Sequence, residues 1–320
     1  MQTLTATYRI VTPMFLGDAK QNATDIRPPS IKGALRFWWR ALNWGRFRQN
    51  TSDDAKALCL LNKAEAELFG AAAEDKKPDG QSRFLIMVKY SKVEPIKNWP
   101  QGQTSSGYLG LGLFAMNDHK QRTAIPEDKK FTLNLLFRPD TQPHQVQQIK
   151  DALTALGLFG GLGSRSRRGF GSLALHDLDN SVINITNSAE YQHRVKDLLD
   201  KYTLPSELPP FTAFSTLSKM ALFSNANAAR TAHAKLGNEY QRYRGQPSRL
   251  RGRIKAGFGL PFTGVSLERR ASPVFMHIHP FGTRFQCVVI YIPAHFHPNW
   301  DKVHDYVVED FLTGKEMIYP

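Results

Sequence analysis

Apolar and polar residues alternate through "TLTATYRIVTP" (Thr3–Pro13) with the period of two that marks a strand buried on one face. The period then changes. In "SIKGALRFWWRALNW" the residues Ile31, Ala34, Leu35, Trp38, Ala41 and Leu42 recur at helical spacing and form one core-facing stripe, introduced by Pro28, Pro29 and an expected N-cap at Ser30. A second helical pattern covers Ala55 to Phe69 and places Cys59 among core residues, and the polar run "GAAAEDKKPDGQS" closes it as a loop. "RFLIMVKYSKV" and "KFTLNLLFRP" read as strands, "HQVQQIKDALTALGLF" as a helix and "GFGSLALHDL" as a strand. With the extra helix set aside, the order is strand, helix, strand, strand, helix, strand. That order is the split βαβ plan of a ferredoxin-like domain, an antiparallel sheet with two helices on one face.

The second half repeats the plan less clearly. "FTAFSTLSKMALF" is strand-like, "NANAARTAHAKLGNEYQRYR" helical, "PVFMHIHP" and "RFQCVVIYIP" a strand pair, "NWDKVHDYVVEDFLT" a helix, and "KEMIYP" a candidate closing strand. The predicted class is therefore α+β, two ferredoxin-like domains (βαββαβ) with helical insertions. Residues 1–180 form the first and residues 181–320 a degenerate second, with Lys201 to Pro210 as a candidate linker.

Between the third helix-like segment and the strand that follows, "GLFGGLGSRSRRGFGSL" (Gly157–Leu173) holds six glycines and three arginines in seventeen residues. Glycines let backbone N–H groups approach an anion closely, and guanidinium forks grip phosphate oxygens. The spacing is not that of a P-loop, which ends in Lys and a hydroxyl residue. A dinucleotide fold also fits poorly, because its glycines follow a strand and open a helix. Candidate phosphate contacts here are Arg165, Arg167 and Arg168 together with the glycine backbone around them. The alternative is a flexible surface loop.

Two further basic clusters stand out. On the first helix Lys32, Arg36 and Arg40 fall at i, i+4 and i+8 with Trp39 beside them, and no acid in that helix offsets their repulsion. Either the stripe is solvated or an anion completes it, and the helix entry nearby favours an anion. Between Arg230 and Lys255 eight Lys or Arg accompany one acid, Glu239, with Tyr240 and Tyr243 interleaved. Arg242, Arg249 and Arg253 are its candidate RNA contacts, and the tyrosines either stack on bases or pack in a core.

Composition agrees with these clusters. Lys and Arg number 42 against 28 Asp and Glu, a net charge of +14, which favours a polyanionic partner through release of its condensed counterions. The 41% apolar fraction is that of a globular chain, and no run approaches the roughly 18 to 20 apolar residues of a membrane span. The N-terminus carries no secretion-signal pattern, so a cytoplasmic location is expected. Two cysteines, Cys59 and Cys287, exclude a disulfide framework and a cysteine-rich zinc site. "HIH" (His277, His279) and "HFH" (His295, His297) put paired rings on a strand face, a metal-compatible arrangement. No carboxylate lies at a fixed short spacing to either pair, so no metal and no cofactor is expected. His176, with Asp177 just beyond the glycine loop, is the one candidate for acid/base chemistry on RNA.

The block "RIVTPMFLGDAKQNATDIRPPSIKGALRFWWRAL" and the loop "GGLGSRSRRGFGSL" resemble the opening signature and glycine-rich loop of RAMP proteins of type III-B CRISPR (Cmr) effector complexes. "GFGLPF" and "ERRASPVFMHIHP" resemble the second half of that complex's subunit-one family. The resemblance implies two ferredoxin-like domains and a noncatalytic role in antiviral defence, gripping the 3′ part of the guide RNA (crRNA) and the target RNA beside other Cmr subunits. It assigns RNA backbone contact to Lys32, Arg36 and Arg40 and to the loop residues Gly161, Gly163, Ser164, Arg165, Arg167, Arg168 and Gly169, with Phe170 anchoring the loop in the core. Some RAMP relatives process guide precursors with a histidine and without metal, so a metal-independent endoribonuclease using His176 is the alternative.

Overall fold

A computed structural model describes residues 2–23, 25–71, 80–116, 120–246, 256–259, 271–295 and 303–319, with side chains in the last segment from Tyr306. The first half runs β1 (Thr3–Ile10), α1 (Pro28–Arg48), α2 (Asp54–Phe69), β2 (Phe84–Tyr90), α3 (Ser105–Leu109), β3 (Lys130–Phe137), α4 (Pro143–Phe159), β4 (Leu173–Leu178) and β5 (Ser181–Val182). After α5 (Ser188–Leu199) come β6 (Lys219–Ala226), α6 (Ala229–Arg244), β7 (Val274–Phe281), β8 (Arg284–Tyr291), α7 (Val303–Leu312) and β9 (Glu316–Tyr319).

The first sheet has the order β2-β3-β1-β4-β5 and the second β7-β8-β6-β9, all pairs antiparallel. Both are the ferredoxin-like arrangement, in which the first strand of each βαββαβ unit lies between the third and the fourth. The fold is thus α+β with two such units, α2, α3 and α5 being the insertions. In the second unit the expected closing strand is present as β9 beside β6, so all four strands of the plan are in place.

Packing stacks these elements in layers. Leu4, Ala6, Tyr8 and Ile10 on β1 face α1 and α4, and the Tyr8 hydroxyl donates to the Leu153 carbonyl at 2.7 Å. The outer side of α1 meets the second sheet: Trp38 lies 5.5 Å from Phe275 and 6.2 Å from Phe214. The opposite face of that sheet, with Met276, Ile278 and Val289, packs on α6 and α7. Being covered on both faces, β7 and β8 are nearly continuous runs of buried residues.

Several local expectations change. α1 begins at Pro28 with Arg27 as N-cap, so Ser30 lies inside the first turn and does not cap it. Proline has no N–H to leave unpaired there and its φ suits the helix, which moves the start forward. Trp39 is buried, its indole N–H donating to Gln148 Oε1 at 3.0 Å, and so is not part of the basic stripe. Cys59 is exposed, since the buried side of α2 is Ala57, Leu61, Glu65 and Leu68. Lys201–Pro210 carries no helix or strand, yet its Tyr202 and Leu204 pack against the core. Among the described residues no helix is long and apolar enough to cross a membrane.

Candidate nucleic-acid interface

The glycine-rich loop leaves α4 at Gly160 and enters β4 at Leu173 as a stitched hairpin rather than a free loop. Leu162 N–H donates to Gly171 O at 3.0 Å, Ser164 N–H to Phe15 O at 2.9 Å, and Gly171 N–H to Pro13 O at 3.0 Å. The Thr12 hydroxyl donates to Gly169 O at 2.7 Å and accepts from Ser172 N–H at 2.9 Å. The loop also reaches the other unit, where Met276 N–H on β7 donates to Arg167 O at 3.0 Å. Much of its backbone is therefore consumed inside the protein. Phe170 is fully buried beside Trp99 and Phe15, the anchor the sequence predicts. Gly161 and Gly163 are half-buried and Gly169 buried.

Gly171 shows what the glycines do. Its φ is +60° and a Cβ there would run into the Leu162 carbonyl oxygen. Gly171→Ala should therefore cost ~3 kcal/mol or more in denaturant melts, combining backbone strain with the clash. Gly33→Ala on α1, where a Cβ meets nothing within 4 Å, should instead stabilise by ~0.5–1 kcal/mol.

The side chains are what the loop presents. Arg165 is exposed, at φ +61°, and its Nη2 donates to Leu111 O at 2.6 Å. The Arg167 guanidinium lies 4.5 Å over Phe275 and 5.2 Å over Phe37, with Nη1 donating to Ser272 O at 2.5 Å. Burial, then the neighbouring Arg168 charge, lowers its pKa to about 10, so it stays charged at neutral pH. Arg168 lies 4.9 Å over Tyr240 and donates from Nη2 to Phe258 O at 3.0 Å, while its Nη1 is buried without a hydrogen-bond partner among the described residues. Behind them Arg122 donates to the Ser164 hydroxyl at 3.1 Å. Burial and the charges of Arg168 and Arg122 also lower the pKa of Arg165. Among the described residues these four guanidinium groups form no ion pair with a carboxylate. Carbonyl oxygens hold Arg165, Arg167 and Arg168 and the Ser164 hydroxyl holds Arg122, which leaves their charge uncompensated.

Arg165, Arg167 and Arg168 line an open cleft of about 1010 Å³, whose other walls include Tyr108 on α3, Tyr240 and Arg244 on α6, and Ser272. Ser166 and Arg167 also border a smaller hollow of about 170 Å³ against Ala34 and Phe37 of α1. Phe37 and Arg167 border the next, of about 410 Å³, which includes Arg40 and Glu65. The three hollows share Arg167 in their walls and follow one another from α6 past the loop to α1 and α2. Two of the basic clusters predicted from sequence, at Arg40 and at the loop, thus lie on one path.

The α1 stripe is partly compensated. Arg36 Nε and Arg40 Nη1 lie 3.5 and 3.4 Å from the two carboxylate oxygens of Glu65, an acid supplied by α2, and Arg36 also donates to Gly70 O. Lys32 is half-buried with its Nζ 5.9 Å from the centre of the Phe84 ring, and burial and then Arg36 lower its pKa. Arg242 is exposed on the last turn of α6, whereas Arg249 and Arg253 lie outside the described residues.

Histidines take different places. His176 is half-exposed on β4 and lines a separate hollow of about 160 Å³ with Arg9 and Asn184. His277 and His279 share one face of β7 and are buried: His277 Nδ1 is 3.0 Å from Gly160 O, and its Nε2 is 3.1 Å from His279 Nδ1. His295 is exposed and His297 lies outside the described residues. His233, which the sequence reading did not single out, is fully buried on α6 and joins Ser106 Oγ to Arg168 O, at 2.9 Å each. Its partners are 127 and 65 residues away, a separation no local pattern encodes.

Residues 7–174, from β1 through the glycine loop, match the family model described as the RAMP superfamily. The chain belongs to the RAMP superfamily. Among its curated relatives this RAMP protein is 26% identical over 308 residues to the CRISPR system Cmr subunit Cmr1-1 of Pyrococcus furiosus, covering 88% of this chain and 84% of the relative. It is 22% identical over 182 residues to Cmr1-2 of the same organism, covering 52% and 92%. Its fold is similar to the crystal structure of apo Cmr1 from Pyrococcus furiosus, with a TM-score of 0.67 and 21% identity over 100% of this chain and 99% of that one. A chain in the cryo-EM structure of the type III-B Cmr-beta complex bound to cognate target RNA aligns with a TM-score of 0.56 and 13% identity, covering 97% and 98%. These likenesses extend the RAMP fold over both halves of the molecule.

Proposed function

We propose that this RAMP protein is a noncatalytic RNA-binding subunit of a type III-B CRISPR (Cmr) effector complex, gripping guide RNA, target RNA or both beside other Cmr subunits. The observation that carries this reading is the groove in which Arg165, Arg167 and Arg168 cluster, with Arg122 behind them, without an ion-paired carboxylate among the described residues. Like charges held together by carbonyl contacts need an external anion, and a polymer of phosphates supplies one at each step. The relatives support the polymer's identity: two are named as Cmr subunits, and a structural neighbour belongs to a complex with target RNA. In this reading Lys32, Arg36, Arg40 and the loop from Gly161 to Gly169 follow the phosphate backbone and Arg242 extends the track, while Arg249 and Arg253, outside the described residues, remain the other RNA contacts expected from sequence. Such contacts position RNA, and guide–target pairing supplies most of the sequence information.

Side chains that do not hold the fold together provide the test. The triple variant Lys32→Glu, Arg165→Glu, Arg242→Glu should bind single-stranded RNA about 10- to 100-fold more weakly near physiological salt. The slope of log affinity against log salt should flatten by about 2, since each lost phosphate contact removes ~0.7. An unchanged slope would show that the basic track through Lys32, Arg165 and Arg242 does not carry the RNA. The sequence also allowed cleavage: specific cutting of a guide precursor in EDTA, lost in His176→Ala, would replace the noncatalytic reading by a nuclease one.

A further inference from the structure

The hollow at the α1–α2 end of the groove differs from the rest of the path. Its volume of about 410 Å³ falls within the roughly 300–1,000 Å³ of sites for small organic groups. Phe37 from α1 and Phe211 from the segment before β6 are half-buried in its wall, Arg40 and Arg167 bring positive charge, and Glu65 lines it from α2. A phosphate track has no use for a carboxylate.

Glu65 is only 7% exposed, yet its two ion-pair contacts are long, 3.4 Å to Arg40 and 3.5 Å to Arg36. Charge-assisted N–H···O bonds run to ~2.7–2.9 Å, and a carboxylate offers about four lone-pair positions. Most of the acceptor capacity of a buried anion is thus unspent beside an open cavity, a costly arrangement unless donors arrive. The partner that fits has adjacent N–H donors, a flat apolar face for Phe37 and Phe211, and an anionic group for Arg40 and Arg167. Among the RNA bases guanine alone presents two neighbouring donors, N1–H and N2–H, on one edge. Uracil flanks its single N–H with carbonyl oxygens that repel a carboxylate. Adenine and cytosine place a ring acceptor beside the amino group.

We propose that this cavity holds a guanine base of the bound RNA, with Glu65 accepting from N1–H and N2–H while Arg40 and Arg167 face the adjoining phosphates. The inference rests on the RNA-binding reading and adds to it one position at which the protein itself reads a base. Its test is fluorescence anisotropy on the full chain, using a short oligouridine and the same oligomer with one central guanosine or inosine. The guanosine probe should bind about tenfold tighter than plain oligouridine, the range of a good bidentate base contact, and inosine, lacking the N2 amino group, should fall between. Glu65→Gln should bring the guanosine-to-uridine ratio close to one. Phe211→Leu, at a half-buried wall position, should cut guanosine's advantage several-fold with an unchanged far-UV spectrum. Equal binding of the probes by the wild-type chain, or a tenfold ratio kept by Glu65→Gln, overturns the inference and leaves the RNA-binding reading standing. Binding of neither probe overturns both.

Discussion

Lowering the pH from 7 to 5 should remove roughly 4–6 kcal/mol of folding stability, because three histidines are buried in the neutral form. Burial lowers the pKa of His233 to about 4 and that of His277 to about 3, against 6.5 in the unfolded chain. His279 is pushed well down as well, by burial and then by His277. Between pH 6.5 and 4 the unfolded chain therefore binds protons that the folded chain does not, so stability falls as the pH falls. It is fully present above about 6.5. Each such histidine contributes ~1.4 kcal/mol per pH unit inside its window, and three contribute ~4. Ordinary carboxylates titrate lower, near 4, and do not mask the effect. Against a typical total of about 5–15 kcal/mol this loss brings the protein close to unfolding at pH 5. Urea midpoints at pH 7.5, 6 and 5 measure it. A midpoint that stays constant over that range would mean that these rings are protonated, and hence hydrated, in the native state.

The same residues show where sequence reasoning reached and where it stopped. The first βαββαβ unit was legible because β1 and β3 alternate cleanly and α1 and α4 keep a helical stripe. The second was harder to read because β7 and β8, covered on both faces, have no alternation to detect. α5 was missed although Tyr191, Val195, Leu198 and Leu199 have helical spacing and the Asn187 side chain accepts from Glu190 N–H at the N-cap. Polar residues surround that short stripe and mask its period. In the groove, the sequence displayed the charge of Arg165, Arg167 and Arg168 but not their partners. It could not show that Arg167 spans Phe37 of one unit and Phe275 of the other, or that Glu65 of α2 faces Arg36 and Arg40. Side-chain type is local information, whereas compensation of a buried charge is decided by residues far apart in sequence. The expectation of an RNA partner rests on net charge together with family resemblance, and the resemblance alone points to the Cmr system.

His233→Ala should cost ~3–5 kcal/mol and detach the glycine loop from α6. The Arg168 carbonyl can only accept, so His233 Nε2 carries the proton and donates to it, which leaves Nδ1 to accept from the Ser106 hydroxyl. One ring therefore bolts α3 to the backbone of Arg168, with Phe170 4.5 Å and Trp99 5.3 Å from its centre. Gly169 permits the approach, since a Cβ there would sit 3.0 Å from the ring. Alanine leaves a cavity among these aromatics and strands a buried hydroxyl and a buried carbonyl, losses that sum to the stated range. Ser106→Ala removes one hydrogen bond with little volume and should cost only ~1 kcal/mol. Hydrogen exchange locates the effect: in His233→Ala the amides of Gly169, Gly171 and Met276 should lose protection ahead of those in β1 and β3. RNA affinity should fall together with that protection, since Arg168 is aimed into the cleft by the backbone that His233 holds. The pH dependence of stability should fall by about a third, because one of the three neutral rings is gone. A His233→Ala protein as stable as wild type, with the loop amides still protected, would place the anchor of the loop in Thr12 and Phe170 instead.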